Sequence, residues 1–348
     1  MKSKNTAAAL SFVCLVALTL LVSIFFIMMV GADVPRALTG FARGIFGSLY
    51  SMSEVVVRAT PLMLAGLGIA AGLRSGFINI GAEGQLYMGA IAAAFLAQTL
   101  PPLPAMIMMP AMILGSFILG GIWAMVPGFL KAKFGISEVI CTIMFNYIAI
   151  NIAGILLRTS LRDPDSYFPM SATLPQSAWL PQFFPIARMH TGIILALVCA
   201  LLTWILIWKT PTGFQLRAVG FNPRACQVAG VRVYKHIILA AVISGGLAGL
   251  AGLSEVAGVH RRLIEGFSPG YGYIAIVVAL LGQRHPLGVV LASFGIAALE
   301  VGSIAMQRGA GVPSSISLII MGLMVLFILG RKRMLAVFFK IKQEGCNG

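Results

Sequence analysis

Long apolar runs recur down this chain, most of them close to the length that a helix needs to cross a lipid bilayer. They lie at Ala7–Gly31, Glu54–Leu73, Gln85–Leu100, Leu103–Leu130, Ile136–Leu157, Thr191–Trp208, Ile237–Val259, Tyr271–Gly282, Leu287–Met306 and Ser315–Gly330. A helix spans the hydrocarbon core with about 20 residues and satisfies its own backbone there, so the pattern predicts an all-α polytopic membrane protein of about ten transmembrane helices. The first run, behind Lys2 and Lys4, is longer than the roughly 7–15 apolar residues of a signal peptide and reads as a retained helix. Only 10% of the residues are charged against 59% hydrophobic, too few to cover a water-facing surface.

The net charge of +15 taken alone would suit nucleic acid. The basic residues, however, cluster between apolar runs, where they anchor loops at an anionic membrane face, and no nucleic-acid partner is expected. Alternating the spans places Lys2, Lys131, Lys133, Lys209, Arg217, Arg224, Arg284 and Arg331-Lys332-Arg333 on the side that holds both termini. The positive-inside rule makes that side the cytoplasm. The longest external loop is then residues 158–190, whose prolines and aromatics (Pro164, Pro169, Tyr167, Phe168, Trp179) suit an ordered cap on the outer membrane face. The five cysteines show no metal or redox spacing. The chain has no GxxxxGK[ST] phosphate loop and no HExxH or GxSxG motif, so neither ATP binding nor catalysis is expected of it, and no metal.

Two segments stand out against this background. In the first, Gly72, Gly76, Gly81 and Gly84 interrupt a membrane-compatible stretch that also holds Asn79, Glu83 and Gln85. Irregular backbone at membrane depth is tolerated where protein buries it or water lines it, so a broken helix bordering a pathway is one reading. A cytoplasmic hairpin with glycine turns, and Glu83 paired to Arg74, is the other. Asn79 and Glu83 are four apart and share a face if the segment is helical. The second segment, Lys209–Val231, contains no acid. Pro211 and Gly213 end the preceding helix and Asn222-Pro223 reads as the cap and first turn of a new one. This predicts two short helices parallel to the membrane, joined at Gly220, held either by anionic lipid or by a partner. Within the spans, Asn146, Asn151, Glu255 and Glu300 are polar, with Glu255 near His260 and Arg261. Asn146 suits helix–helix bonding as well as a ligand, and Tyr271 and Tyr273 suit an aromatic belt as well as stacking on a base or sugar.

Gly81-Ala82-Glu83-Gly84-Gln85 and the Thr212-Gly213…Arg217-Ala218-x-Gly220-x-Asn222…Ala225…Gly230 segment together resemble the permeases of bacterial ABC importers for simple sugars and nucleosides. The stretch Lys131–Ile148, with Ser137-Glu138-Val139 and Phe145-Asn146-Tyr147, is similar to the nucleoside branch, with Ser137 where Asn is usual and Phe145 where Leu is usual. The likeness covers roughly residues 50–335. It implies a single permease domain over 1–348, in which helices 2–5 (first half, 50–158) and 7–10 (second half, 237–330) are related as an inverted repeat. It also implies an external loop at 158–190 and a cytoplasmic coupling loop at 209–236. The implied partners are two ATP-binding subunits that use the ATP, a second permease in a heterodimer, an external solute-binding lipoprotein and membrane lipids, with no cofactor on this chain. The implied location is the bacterial inner membrane. Gly213, Arg217, Gly220, Asn222, Ala225 and Gly230 fall on the family's ATPase-docking element. Asn79, Glu83, Gln85, Asn146, Tyr271 and Tyr273 are the candidates for the substrate path. Nucleosides are the expected solute, with simple sugars or branched-chain amino acids as alternatives. An ion-coupled secondary transporter, using Glu83, Glu255 or Glu300, is the rival class.

Overall fold

The computed structural model describes residues 21–323 except 23, 26, 30, 102, 185, 186, 314, 316–318, 320 and 321. Most of the first expected span, most of the last, and Arg331-Lys332-Arg333 lie outside the described residues. In chain order the named elements are α1 (Val34–Phe46), α2 (Leu49–Arg74), α3 (Ala82–Thr99), α4 (Ala105–Phe134), α5 (Glu138–Arg158), a 3-10 turn (Gln176–Ala178), β1 (Gln182–Phe184) and β2 (Ala187–His190). They continue as α6 (Gly192–Lys209), α7 (Pro211–Phe221), α8 (Pro223–Val228), α9 (Val233–Leu253) with a π-helical turn (Ser254–His260), α10 (Tyr271–Leu281) and α11 (Pro286–Ala310).

Six helices among the described residues are long and apolar enough to cross a membrane: α2, α4, α5, α6, α9 with its π-helical end, and α11. The apolar runs expected from Glu54 to Met306 each fall on a helix, with ends displaced by a few residues. Helix α1 was not expected, because its run is short and carries Arg36 and Arg43. Its start is nonetheless written in the sequence: the Arg36 amide donates to Asp33 Oδ1 at 2.9 Å, and proline follows in the first turn. The all-α expectation takes one correction, since β1 and β2 pair antiparallel inside the loop that joins α5 to α6.

The chain divides into two compact units, residues 53–297 and residues 1–52 with 298–348. In the second of these, Ile27, Ala37, Met306 and Val312 form a small buried cluster, and Phe41 fits over Gly302. In the larger unit α3 is innermost, buried continuously from Ala82 to Ala94. Helices α4 and α9 reach it through glycine. A Cβ on Gly249 of α9 would stand 2.2 Å from the Ser116 carbonyl oxygen of α4, and one on Gly89 of α3 would stand 2.1 Å from the Gly249 carbonyl oxygen. Lipid supplies no hydrophobic drive between helices, so close approach of this kind, with Ser116 Oγ donating to the Gly89 carbonyl at 2.9 Å, holds the three together. Outer faces keep apolar side chains exposed, among them Leu114 and Ile118 of α4 and Leu201 and Leu202 of α6.

The loop between α5 and α6 is ordered, as its prolines and aromatics implied. The Ser171 amide donates to the Leu263 carbonyl at 2.8 Å, the Leu174 amide to Arg261 at 2.9 Å and the Leu180 amide to Ala257 at 3.0 Å. Arg158 and Glu265 add an ion pair of 2.8 Å. His190 ends β2 with its ring against Gly258 of the π-helical turn. Burial, and then the charge of Arg188, hold its pKa down at about 4. Glu255 is buried 3.6 Å from His260, while Arg261 turns away to lie 4.1 Å over the Trp179 ring.

Candidate functional site

Helix α2 ends at Arg74 because Gly76 takes φ +78°, a left-handed conformation that closes a helix; the Phe77 amide then donates back to the Gly72 carbonyl at 2.9 Å. The chain stays non-helical until α3 begins at Ala82. Asn79 is therefore not on a helix, and the face that it would share with Glu83 in a helical segment does not form.

Asn79 instead meets Gln85 head to tail. Asn79 Nδ2 donates to Gln85 Oε1 at 2.7 Å, and Gln85 Nε2 donates to Asn79 Oδ1 at 3.0 Å. Asn79 Nδ2 also donates to Ser244 Oγ of α9 at 2.8 Å, and Asn79 Oδ1 accepts from the Gly81 amide at 2.9 Å. All four hydrogen-bonding positions of this amide are thus filled. Asn146 of α5 closes the other side. Its Oδ1 accepts from the Gly84 amide at 2.8 Å, and its Nδ2 donates to the Ile80 carbonyl at 3.0 Å and to Tyr273 Oη at 3.2 Å. The three amides are at most 1% exposed. A network so completely paired fixes irregular backbone inside an apolar interior, where each unmet group would cost about 1–3 kcal/mol.

Glu83 lies in the first turn of α3, buried, and Gly272 at the start of α10 donates its amide to Glu83 Oε2 at 2.7 Å. The alternative pairing of Glu83 with Arg74 does not form, because Arg74 Nε donates to the Arg284 carbonyl at 2.9 Å. Tyr271 is buried; Tyr273 is 40% exposed while Asn146 holds its hydroxyl. The break is also tied at its entrance, where Lys131 Nζ donates to the Gly76 carbonyl at 2.6 Å and to Glu138 Oε1 at 2.5 Å. Sequence reasoning passed over Ser244, Gly272 and the tie from Lys131 to Gly76. A lone serine in a Gly/Ala stretch was the one available hint for Ser244. Among the described residues no set of His, Cys, Asp and Glu is grouped to hold a metal ion.

The second segment folds as two short helices, but they do not join at Gly220. Asn222 leaves helical geometry at φ −151° and its Oδ1 accepts from the Ala225 amide at 3.1 Å, so it caps α8 with Pro223 in the first turn. Thr210 caps α7 in the same way, accepting from the Gly213 amide at 3.0 Å. Gly220 sits inside α7 and serves close approach rather than a bend. A Cβ there would stand 2.2 Å from the Arg74 carbonyl oxygen and 3.0 Å from the Gly76 amide nitrogen. Gly213 similarly lies under the Leu206 and Ile207 carbonyls. Leu216 packs in one buried cluster with Phe77, Ala124, Ala240 and Ala241, and Arg217 reaches the Trp208 ring at 5.9 Å. Gly230 takes φ +78° in the turn after α8, beside a cavity of about 370 Å³ that Ala132, Gln227 and Tyr234 also line. The outer face of this pair leaves Phe214, Phe221 (87%) and Val228 (92%) exposed.

The arrangement therefore puts a surface helix in backbone contact with a broken membrane helix whose polar side chains interlock two to three residues further on. Comparisons with known proteins agree on what such a chain is. The family described as the branched-chain amino acid transport system permease component matches residues 51–329. The guanosine ABC transporter permease protein NupP of Bacillus subtilis is 38% identical over 91% of this chain and 92% of its own length. The glucose ABC transporter permease protein TsgB13 of Haloferax volcanii is 35% identical, covering 81% and 77%. The nucleoside ABC transporter permease protein NupB of Lactococcus lactis subsp. cremoris is 29% identical, covering 81% and 80%.

Proposed function

We propose that this chain, which belongs to the branched-chain amino acid transport system permease component family, forms the membrane path of an ATP-driven importer for nucleosides. As a family member it is a multi-pass membrane subunit that transports rather than catalyses. The observation that carries the mechanism is the contact of Gly220 and Leu216 in α7 with Arg74, Gly76 and Phe77 at the break. On one side α7 and α8 present Phe214, Phe221 and Val228 for an ATP-binding subunit to cover. On the other side α7 touches the backbone three residues before Asn79. A pull on α7 therefore reaches the Asn79–Gln85–Ser244 network directly, and exchange of those hydrogen bonds gives the two arrangements that alternating access needs.

In this reading Asn79, Gln85 and Asn146 support the path and the open face of Tyr273 lines it. Glu83 fixes the start of α10 beside them. A nucleoside is neutral, with a flat base and hydroxyls, and needs amides and an aromatic face rather than charge. The names of the guanosine and nucleoside permeases above favour this solute, and that of the glucose permease makes a sugar the second reading. The rest of the architecture follows the apolar and basic pattern: ten spans, helices 2–5 inverted against 7–10, both termini cytoplasmic, residues 158–190 outside. The partners are two ATPases, with 209–236 as the ATPase-docking loop of this chain, a second permease and an external lipoprotein that delivers solute. The test of the substrate is uptake of labelled guanosine into vesicles holding the whole transporter. Unlabelled uridine and adenosine should compete and glucose should not; competition by glucose alone reassigns the solute to sugars.

A further inference from the structure

The last turn of α2, the middle of α7 and the turn between α10 and α11 bring three arginines together, with no acid among them in the described residues. Arg74 is tied to the Arg284 carbonyl at 2.9 Å, and its guanidinium lies 4.9 Å over the ring of Trp208, near the end of α6. Arg217 approaches the same ring at 5.9 Å, and His285 packs on it with ring centroids 4.9 Å apart. The charges of Arg284 and Arg217 both act on Arg74, and like charges repel. Among the described residues no ion pair includes any of the three. Among the described residues Arg217 Nε is buried with no hydrogen-bond partner. The turn that carries Arg284 holds two successive non-glycine residues in left-handed geometry, Gln283 at φ 52° and Arg284 at φ 58°. Such backbone is unfavourable for both residues and persists where the surroundings over-determine it.

Neighbouring arginines with an unmet N–H and no counter-ion among the described residues make a receptor for an anion. The position of the cluster identifies the source. Trp208 and Lys209 close α6, whose Leu201, Leu202 and Ile205 are exposed as a lipid-facing helix requires. Trp, Lys and Arg at a helix end mark the depth of lipid headgroups. We infer that Arg74 and Arg217 over Trp208, with Arg284 beside Arg74, bind the phosphate group of an anionic membrane lipid. Guanidinium forks match phosphate oxygens in pairs, which a neutral or zwitterionic headgroup with its own cation satisfies less well. A phosphate held there clamps the end of α2 to α7 across the contact between Gly220 and Arg74. The site stands on the arginine cluster; only its effect on coupling rests on the proposed role of α7, and lipid retention is read separately from uptake.

The test is native mass spectrometry of the complete transporter, delipidated and then titrated with phosphatidylglycerol or phosphatidylcholine. The wild type should retain phosphatidylglycerol with about a tenfold preference. The pair Arg217→Gln and Arg284→Gln should abolish that preference, and Arg217→Lys, which keeps charge but not the fork, should reduce it. If the glutamine pair fails to assemble, Arg217→Lys decides, and wild-type retention in it overturns the site. Equal retention of the two lipids by the wild type also overturns it. So does phosphatidylglycerol binding that emerges only once the ATPase subunits are stripped away, which would mean that an acidic side chain of the partner occupies the cluster. Displacement of the lipid by millimolar inorganic phosphate supports the phosphate site and assigns it a soluble source.

Discussion

Replacing Gly220 with valine should uncouple ATP hydrolysis from uptake. The added Cβ would begin 2.2 Å from the Arg74 carbonyl oxygen and 3.0 Å from that residue's carbonyl carbon, both backbone atoms that cannot rotate aside. To restore ordinary van der Waals distance α7 must withdraw by about 1 Å. That withdrawal also opens the packing of Leu216 on Phe77, which are 2% and 0% exposed. Overpacking of this kind costs about 1–3 kcal/mol. If about 2 kcal/mol of it falls on the arrangement in which α7 and the break move together, that arrangement loses about thirtyfold in population. ATPase activity and labelled-nucleoside uptake are measured in the same vesicles. Uptake should fall by an order of magnitude or more while hydrolysis persists, and solute affinity of the separate binding protein should not change. Gly220→Ala should move in the same direction by less. Wild-type hydrolysis and uptake together in the valine variant would refute the argument that this contact transmits motion.

Asn79→Leu, which removes the hub of the amide network, should lower the thermal stability of the complex by about 1–3 kcal/mol, since Gln85 and Ser244 lose partners in a dry interior; an unshifted melting curve would contradict the network. Glu83→Ala should cut uptake severalfold with assembly intact because the Gly272 amide loses its acceptor, whereas Glu83→Gln, which can still accept, should retain most of it; equal loss in both would assign the effect to charge. His190 holds its pKa at about 4 in the folded loop against 6.5 in an unfolded chain, so the unfolded form takes the proton first as pH falls. Loop stability is therefore complete above about pH 6.5 and declines towards pH 4, by up to about 3 kcal/mol. Limited proteolysis of the loop containing β1 and β2 should accelerate over that window, and His190→Gln should remove the pH dependence.

The spans were legible because apolar runs in lipid leave a chain little choice but helix. The helix start at Pro223 was legible too, because proline and a capping side chain act locally, whereas Pro211 and Gly213 were read as ending the preceding helix and instead open α7. What escaped depends on residues far apart in sequence. Asn79 and Glu83 were grouped by their spacing, yet one bonds Ser244 of α9 and the other Gly272 of α10, far away in sequence. Gly220 was read as a bend because glycine permits one. Its use is to let the Arg74 carbonyl approach, and a single chain offers no local mark that separates those two roles. The hairpin of β1 and β2 went unseen for another reason: each strand is only three or four residues long and is held by a loop that docks on the turn after α9.

The most direct measurement of the central claim is nucleoside uptake into vesicles containing this chain, with and without the ATP-binding subunits, under ATP or under an imposed ion gradient. Uptake should require ATP and both ATPases, should collapse in Gly220→Val, and should not be driven by an ion gradient alone. Uptake driven by the gradient in vesicles that lack the ATPase subunits would contradict it and make the chain an ion-coupled transporter.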